Sequence, residues 1–241
     1  MDRVIYLAMA GAKASMLRQD VLAHNLANAS TPGFRAEMTA FRAVPVLGDG
    51  ASTRVYSIET TPGYSNEPGS VMATDRNLDV AMKGGAWLAV QGADGVEAYT
   101  RSGALDVDSE GLLVTRSGQG VLGDGGAIVV PPNAQVQIGA DGSVTASVVG
   151  GRPQAVGRLK LVTPDTPLQR GEDGLFRAPA GNLPVDASAR LQPGALEGSN
   201  VSPVESMVAM IAAARQYEQQ MKILSTSQER EQSATRLLAN S

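Results

Sequence analysis

The run Glu197-Gly198-Ser199-Asn200-Val201-Ser202-Pro203-Val204-Glu205 separates two kinds of sequence. Ser202 suits a helix N-cap, because its hydroxyl can accept from the free amides of a first turn. Pro203 suits the first helical position, where no N–H is needed, and Glu205 at the third completes a capping box. Beyond it, Met207, Met210, Ala214, Tyr217, Met221 and Leu224, then Gln228, Glu231, Thr235 and Leu238, follow a strict alternation of three- and four-residue steps. That spacing predicts one long helix whose seam is apolar early and polar late. At about 1.5 Å per residue, Pro203 to Ala239 makes a rod of roughly 55 Å.

Upstream of Gly198 the pattern is different. Trp87 to Gln91, Val96 to Thr100, Leu112 to Thr115, Ala127 to Val130, Ser143 to Val148 and Val156 to Val162 are short β-prone runs separated by glycine turns. The pairs Asp94-Gly95, Asp124-Gly125, Asp141-Gly142 and Asp173-Gly174 suit hairpins, since both residues tolerate positive φ. Residues 78–196 therefore read as a compact antiparallel β-domain. In 43–77 Pro and Gly recur without a period, and Val55, Ser57 and Glu59 offer at most one edge strand, so this stretch reads as an extended connector.

At the other end the helical period returns. Ile5, Met9, Ala12, Met16, Ala23 and Leu26 recur at helical steps or their sums from Asp2 to about Asn28. Asp2 can cap the start, and Ser30, Thr31, Pro32 and Gly33 supply the stop. The apolar run from Val4 to Ala12 has the look of a secretory signal. Against that reading, Asp2 cancels the charge of Arg3, and Lys13, Arg18 and Asp20 continue the same amphipathic helix. No segment approaches the roughly 18 apolar residues of a membrane span. The fold class is α+β, with N- and C-terminal helices (1–42 and 197–241) forming a coiled-coil-like assembly domain around a central antiparallel β-rich domain. Both helical seams exceed what a small β-domain can cover, so the helices are expected to pair with each other and with further copies. A self-contained helical hairpin packed on the sheet is the alternative.

The 241 residues are 43% hydrophobic, enough for a real core, and the net charge of −4 gives no basic excess to neutralise phosphates or anionic lipid. Nucleic acid and direct membrane insertion are therefore not expected. With no cysteine and one histidine, thiolate chemistry, disulfides and ordinary zinc sites fall away. Gly118-Gln119-Gly120-Val121-Leu122-Gly123 matches a dinucleotide fingerprint, but a strand ending in Pro131-Pro132 follows it where a helix is needed. Asp106, Asp108, Glu110 and Gly111 imitate a calcium loop, yet its twelfth position is Ser117 rather than a bidentate Glu. His24 reads as a polar helix residue, and Met207, Met210 and Met221 as adaptable packing rather than a soft-metal site. No catalytic, cofactor or metal residue is nominated.

His24-Asn25-Leu26-Ala27-Asn28-Ala29-Ser30-Thr31-Pro32-Gly33-Phe34 resembles the N-terminal signature of the flagellar rod and hook axial proteins. Glu197-Gly198-Ser199-Asn200-Val201-Ser202-Pro203-Val204, with Met207, Met210-Ile211, Arg215, Tyr217-Glu218, Met221 and Lys222, resembles the C-terminal signature of the same family. Leu78-Asp79-Val80-Ala81, Trp87-Leu88-Ala89-Val90 and Tyr99-Thr100-Arg101-Ser102-Gly103 resemble its β-domain. Within the family, the opening Met1-Asp2-Arg3-Val4-Ile5-Tyr6 and the short length are most similar to the proximal rod branch, with distal rod and hook-like branches as competitors.

The resemblance implies a non-enzymatic structural subunit that polymerises with itself and other rod proteins into a drive shaft for motility. It also implies passage through the flagellar type III export apparatus without a cleaved signal, and a place in the periplasmic section of the basal body. Ile5, Met9, Ala12, Met16, Leu26, Met207, Met210, Ala214, Tyr217, Met221 and Leu224 are the expected assembly interface. A secreted β-domain binding module and a peptidoglycan-trimming enzyme are the readings from other classes.

Overall fold

The computed structural model describes residues 2–45, 55–148 and 150–239. They divide into two compact units, one made of Met1–Ala29, Ala36–Ser65 and Val201–Ser241, the other of Ser30–Arg35 and Asn66–Asn200.

The first unit is built on two helices, α1 (Asp2–Ala27) and α2 (Pro203–Ala239), packed against each other. Pro203 opens α2 as the capping chemistry requires, though the Ser202 hydroxyl accepts from the Glu205 amide at a long 3.4 Å. A two-stranded antiparallel ribbon, β1 (Glu37–Pro45) and β2 (Val55–Tyr64), packs beside α1. The spacing across 43–77 had offered at most one edge strand, and the reason is local. Met38 faces Gly63 and Ala40 faces Thr60, so Thr39 stands against both Thr61 and Pro62. The extra residue is a bulge, a place where proline removes no ladder hydrogen bond.

The second unit is all antiparallel. Among the described residues its main sheet has nine strands, with Trp87–Gln91 at the centre. Glu97–Thr100 flanks that strand on one side, followed by Phe176–Arg177 and Gln169–Arg170. Gly120–Gly123, Leu113–Thr115 and Leu105–Val107 follow on the other, with Leu161–Val162 also pairing to the central strand. A three-stranded meander runs through Ala134–Ile138, Ser143–Val148 and Gln154–Arg158. Two short pairs complete the unit: Val80–Met82 with Leu191–Pro193, and Val71–Ala73 with Ala195–Glu197. The core between these layers is aliphatic, with Leu88, Val90, Leu105, Leu113, Val121, Val144, Leu159, Leu161 and Leu191 almost completely buried.

Three of the turns share one five-residue construction, and it follows directly from the Asp-Gly pairs. In Gly92–Val96, Gly139–Ser143 and Gly171–Leu175 the first amide donates to the fifth carbonyl at 2.8 Å. The Asp carboxylate accepts from the amide two residues on at 3.0 to 3.1 Å. Gly95, Gly142 and Gly174 take φ of +76°, +87° and +76°, which a Cβ would strain. The fourth pair behaves differently, since Gly126 rather than Gly125 carries the positive φ. The apparent calcium loop is another turn of this kind, Asp108 Oδ1 accepting from the Glu110 and Leu112 amides at 2.9 and 2.8 Å.

Candidate assembly interface

Where α1 and α2 pack together, the fully buried side chains are small and the larger ones are only half-buried. On α1, Ala8, Ala12 and Ser15 are buried; on α2, Ser206 and Ala213 are buried, with Met210, Tyr217, Gln220, Leu224 and Ser227 half-buried. Ser206, Met210, Ala213, Tyr217, Gln220, Leu224 and Ser227 keep a strict four-three spacing, which is the seam α2 turns toward its partner helix. The helices come close. A Cβ at Gly11 would lie 2.9 Å from Cδ of Gln220, nearer than such atoms approach. The Ser15 hydroxyl is satisfied inside its own helix, donating to the Gly11 carbonyl at 3.0 Å.

Other large apolar side chains face solvent. Tyr6, Leu7, Met9 and Met16 on α1 are exposed, as are Val204, Met207, Val208, Ile211, Met221 and Ile223 on α2. Val204, at 70% exposure, leads the stripe 204, 207, 208, 211, the spacing of one helical face. The residues expected at the interface are thus divided. Ala12 is buried, and Ile5, Leu26, Met210, Ala214, Tyr217 and Leu224 are half-buried; Met9, Met16, Met207 and Met221 are exposed.

Several positions of the N-terminal signature make identifiable contacts. Asn25, buried, clamps the start of β1 with both ends of its amide: Nδ2 donates to the Glu37 carbonyl at 2.9 Å and Oδ1 accepts from the Glu37 amide at 2.8 Å. Asn28 closes α1, its Nδ2 donating to the His24 carbonyl at 2.9 Å, and His24 Nδ1 lies 3.1 Å from the Glu37 carboxylate. Leu26 is half-buried, Ala27 exposed and Thr31 exposed, the Thr31 carbonyl accepting from the Phe34 amide at 3.2 Å.

Gly33 to Arg35 belong to the β unit. Gly33 has φ +72°, and a Cβ there would fall 2.2 Å from the Arg101 carbonyl carbon. Its amide donates to the Glu197 carbonyl at 2.8 Å. Phe34 is buried with the Arg170 guanidinium 4.6 Å from its ring centroid, and its carbonyl accepts from the Asn200 amide at 3.3 Å. Asn200 Nδ2 in turn donates to the Glu67 carbonyl at 2.9 Å. Of the C-terminal signature, Ser199 is half-buried and Val201 buried, while on α2 Tyr217 is half-buried and Glu218 exposed.

Beneath these contacts lies a buried charge cluster that sequence reasoning did not single out. Glu197, 1% exposed, accepts from Arg35 Nη2 at 2.7 Å, from Arg101 Nη2 and Nε at 2.6 and 2.8 Å, and from the Gly69 amide at 3.0 Å. Arg101 also donates to the Met82, Gly84 and Ala86 carbonyls. Burial holds the Arg101 guanidinium below its ordinary pKa; Glu197 beside it opposes the shift and the nearby Arg35 charge adds to it. The three residues stand 66 and 96 positions apart in sequence. The one available signal was position: Arg35 follows Phe34 at the end of the N-terminal signature, and Arg101 and Glu197 stand inside the β-domain and C-terminal runs.

These junctions fall where the chain matches known proteins. Residues 5–35 match the family described as "Flagella basal body rod protein", residues 81–146 the "Flagellar hook protein FlgE/F/G D1 domain", and residues 192–237 the "Flagellar basal body rod FlgEFG protein C-terminal". Over the whole of both chains the protein is 47% identical to flagellar basal-body rod protein FlgF of Salmonella typhimurium and 46% identical to that of Escherichia coli. The chain belongs to the FlgF family of flagellar basal-body rod proteins. Flagellar basal-body rod protein FlgG of Bacillus subtilis is 31% identical, over 95% of this chain and 96% of its own. Membership makes the chain a structural rod subunit rather than an enzyme. No described helix is long and apolar enough to cross a membrane.

Proposed function

We propose that this rod subunit is built into the proximal, periplasmic section of the rod through the outward faces of α1 and α2, beside further copies and homologous rod proteins. The observation that carries the proposal is the burial pattern of the two helices, whose fully buried side chains are Ala, Ser and Asn while Tyr6, Met9, Met16, Val204, Met207, Val208 and Ile211 stand exposed. Each large apolar side chain taken from water contributes about 1.5–3 kcal/mol, so a neighbour that covers these faces has a strong driving force. Residues Met9, Met16, Met207 and Met221 of the expected interface meet neighbours directly. Ala12, Met210, Tyr217 and Leu224 set the spacing of the helix pair that presents them. Assembly with the distal rod protein follows at the far end of the same shaft, which the subunit reaches through the flagellar export apparatus.

Ile211→Asp tests this reading. Ile211 is 57% exposed, so the free subunit should be exported and melt like the wild type. In the rod the carboxylate would be buried without a partner, at several kcal/mol, and the variant should be missing from purified basal bodies. Normal incorporation and motility would refute the role of this face.

A further inference from the structure

The outward helical faces are unusual in their chemistry as well as their polarity. Met9 and Met16, seven residues apart, share a face of α1 at 53% and 57% exposure; Met207 and Met221, fourteen apart, share a face of α2 at 50% and 44%. The chain contains no cysteine, so its exposed thioethers are the side chains a peroxide would attack, and these four are the ones carried on the helices. Met82, in contrast, is 3% exposed inside the β unit, and Met38 and Met72 are exposed but lie off the helices.

We propose that Met9, Met16, Met207 and Met221 are an oxidation site that switches the subunit between assembly-competent and assembly-incompetent forms. The inference rests on the assembly role proposed above and adds a means of regulating it. In the free subunit a hydroperoxide delivers one oxygen atom to each sulfur: the thioether lone pair attacks the terminal oxygen, the O–O bond breaks, and with hydrogen peroxide the other product is water. The sulfur is oxidised to the sulfoxide and the peroxide reduced. A flexible apolar side chain thereby acquires a polar S=O group on the surface that a neighbour must desolvate. Once the subunit is in the rod, the same burial shields the sulfurs, so the switch acts before assembly and not after it. A thiol-dependent sulfoxide reductase would restore competence.

Glutamine approximates the size and polarity of methionine sulfoxide, and leucine keeps the apolar volume without an oxidisable atom. The full-length chain carrying Met9→Gln, Met16→Gln, Met207→Gln and Met221→Gln should be exported and melt as the wild type, but its amount in purified basal bodies should fall at least tenfold. The corresponding fourfold Leu variant, which keeps the apolar volume, should lose far less than the Gln variant, and Met38→Gln with Met72→Gln should incorporate normally. In parallel, the exported wild-type chain exposed to hydrogen peroxide should gain oxygen at the four helical methionines by peptide mass, with Met82 unmodified. Normal incorporation of the fourfold Gln variant, equal loss with the Leu variant, or resistance of the four sulfurs to peroxide would each overturn the switch. A wild-type chain missing from basal bodies would overturn the assembly role itself, and the switch with it.

Discussion

The two units of this protein bury opposite kinds of side chain. In the β unit, Leu88, Val90, Leu113 and Leu161 are hidden from water and the turns are Asp and Gly, the arrangement of a domain that satisfies itself. In the helical unit, Ala8, Ala12, Ser15, Ser206 and Ala213 are hidden, while Met9, Met207, Val208 and Ile211 face out. Small residues let helices approach closely but remove little apolar area from water, so the pair is held by less than its composition could supply. The β unit thus stores its stability internally, whereas the helical unit leaves large apolar side chains exposed in the single chain.

The largest effect is expected where the β unit gathers its connecting segments. Glu197→Ala would leave Arg35 and Arg101 buried without their carboxylate, and unfolding free energy measured by denaturant titration should drop by about 3–5 kcal/mol. A loss within error of zero would mean that the cluster is incidental to the unit's stability.

A paired truncation then sets the two units against each other. Leu88→Ala opens a cavity beside Trp87–Gln91 and should cost about 2–5 kcal/mol in the free subunit, whereas Met207→Ala should change it by no more than about 0.5 kcal/mol. Comparable losses for both would erase the distinction. The smallest effect belongs to the start of α2. The capping distance of 3.4 Å places Ser202→Ala near the low end of the usual range, about 0.5 kcal/mol, read as helix content in a peptide spanning 197–241. A loss near 2 kcal/mol would show a stronger cap than this geometry supports.

Much of this was legible in the sequence, for identifiable reasons. Capping and termination chemistry is local, so Pro203 and the Ser30-Thr31-Pro32-Gly33 stop marked the helix ends, and the Asp-Gly pairs marked three turns that share one geometry. The ribbon of β1 and β2 was hidden because Pro62 and Gly63, which argue against a strand, are accommodated at a bulge. The helix seam was only half legible. Steps of three and four through Met207, Met210 and Ala214 follow the large side chains, but close approach at Gly11 and Gln220 selects the small and polar residues one position away. The Arg35–Arg101–Glu197 cluster was invisible to periodicity, since its members meet only when three distant segments come together.

The central claim is that neighbours cover what the helical unit leaves exposed. It is tested most directly by a density map of the isolated basal body with this chain traced in it. The expected result is that Tyr6, Met9, Met207, Val208 and Ile211 lie buried against side chains of adjacent subunits, while the β-unit core keeps the packing it has in the single chain. Finding those five side chains facing solvent in the assembled rod would contradict the claim.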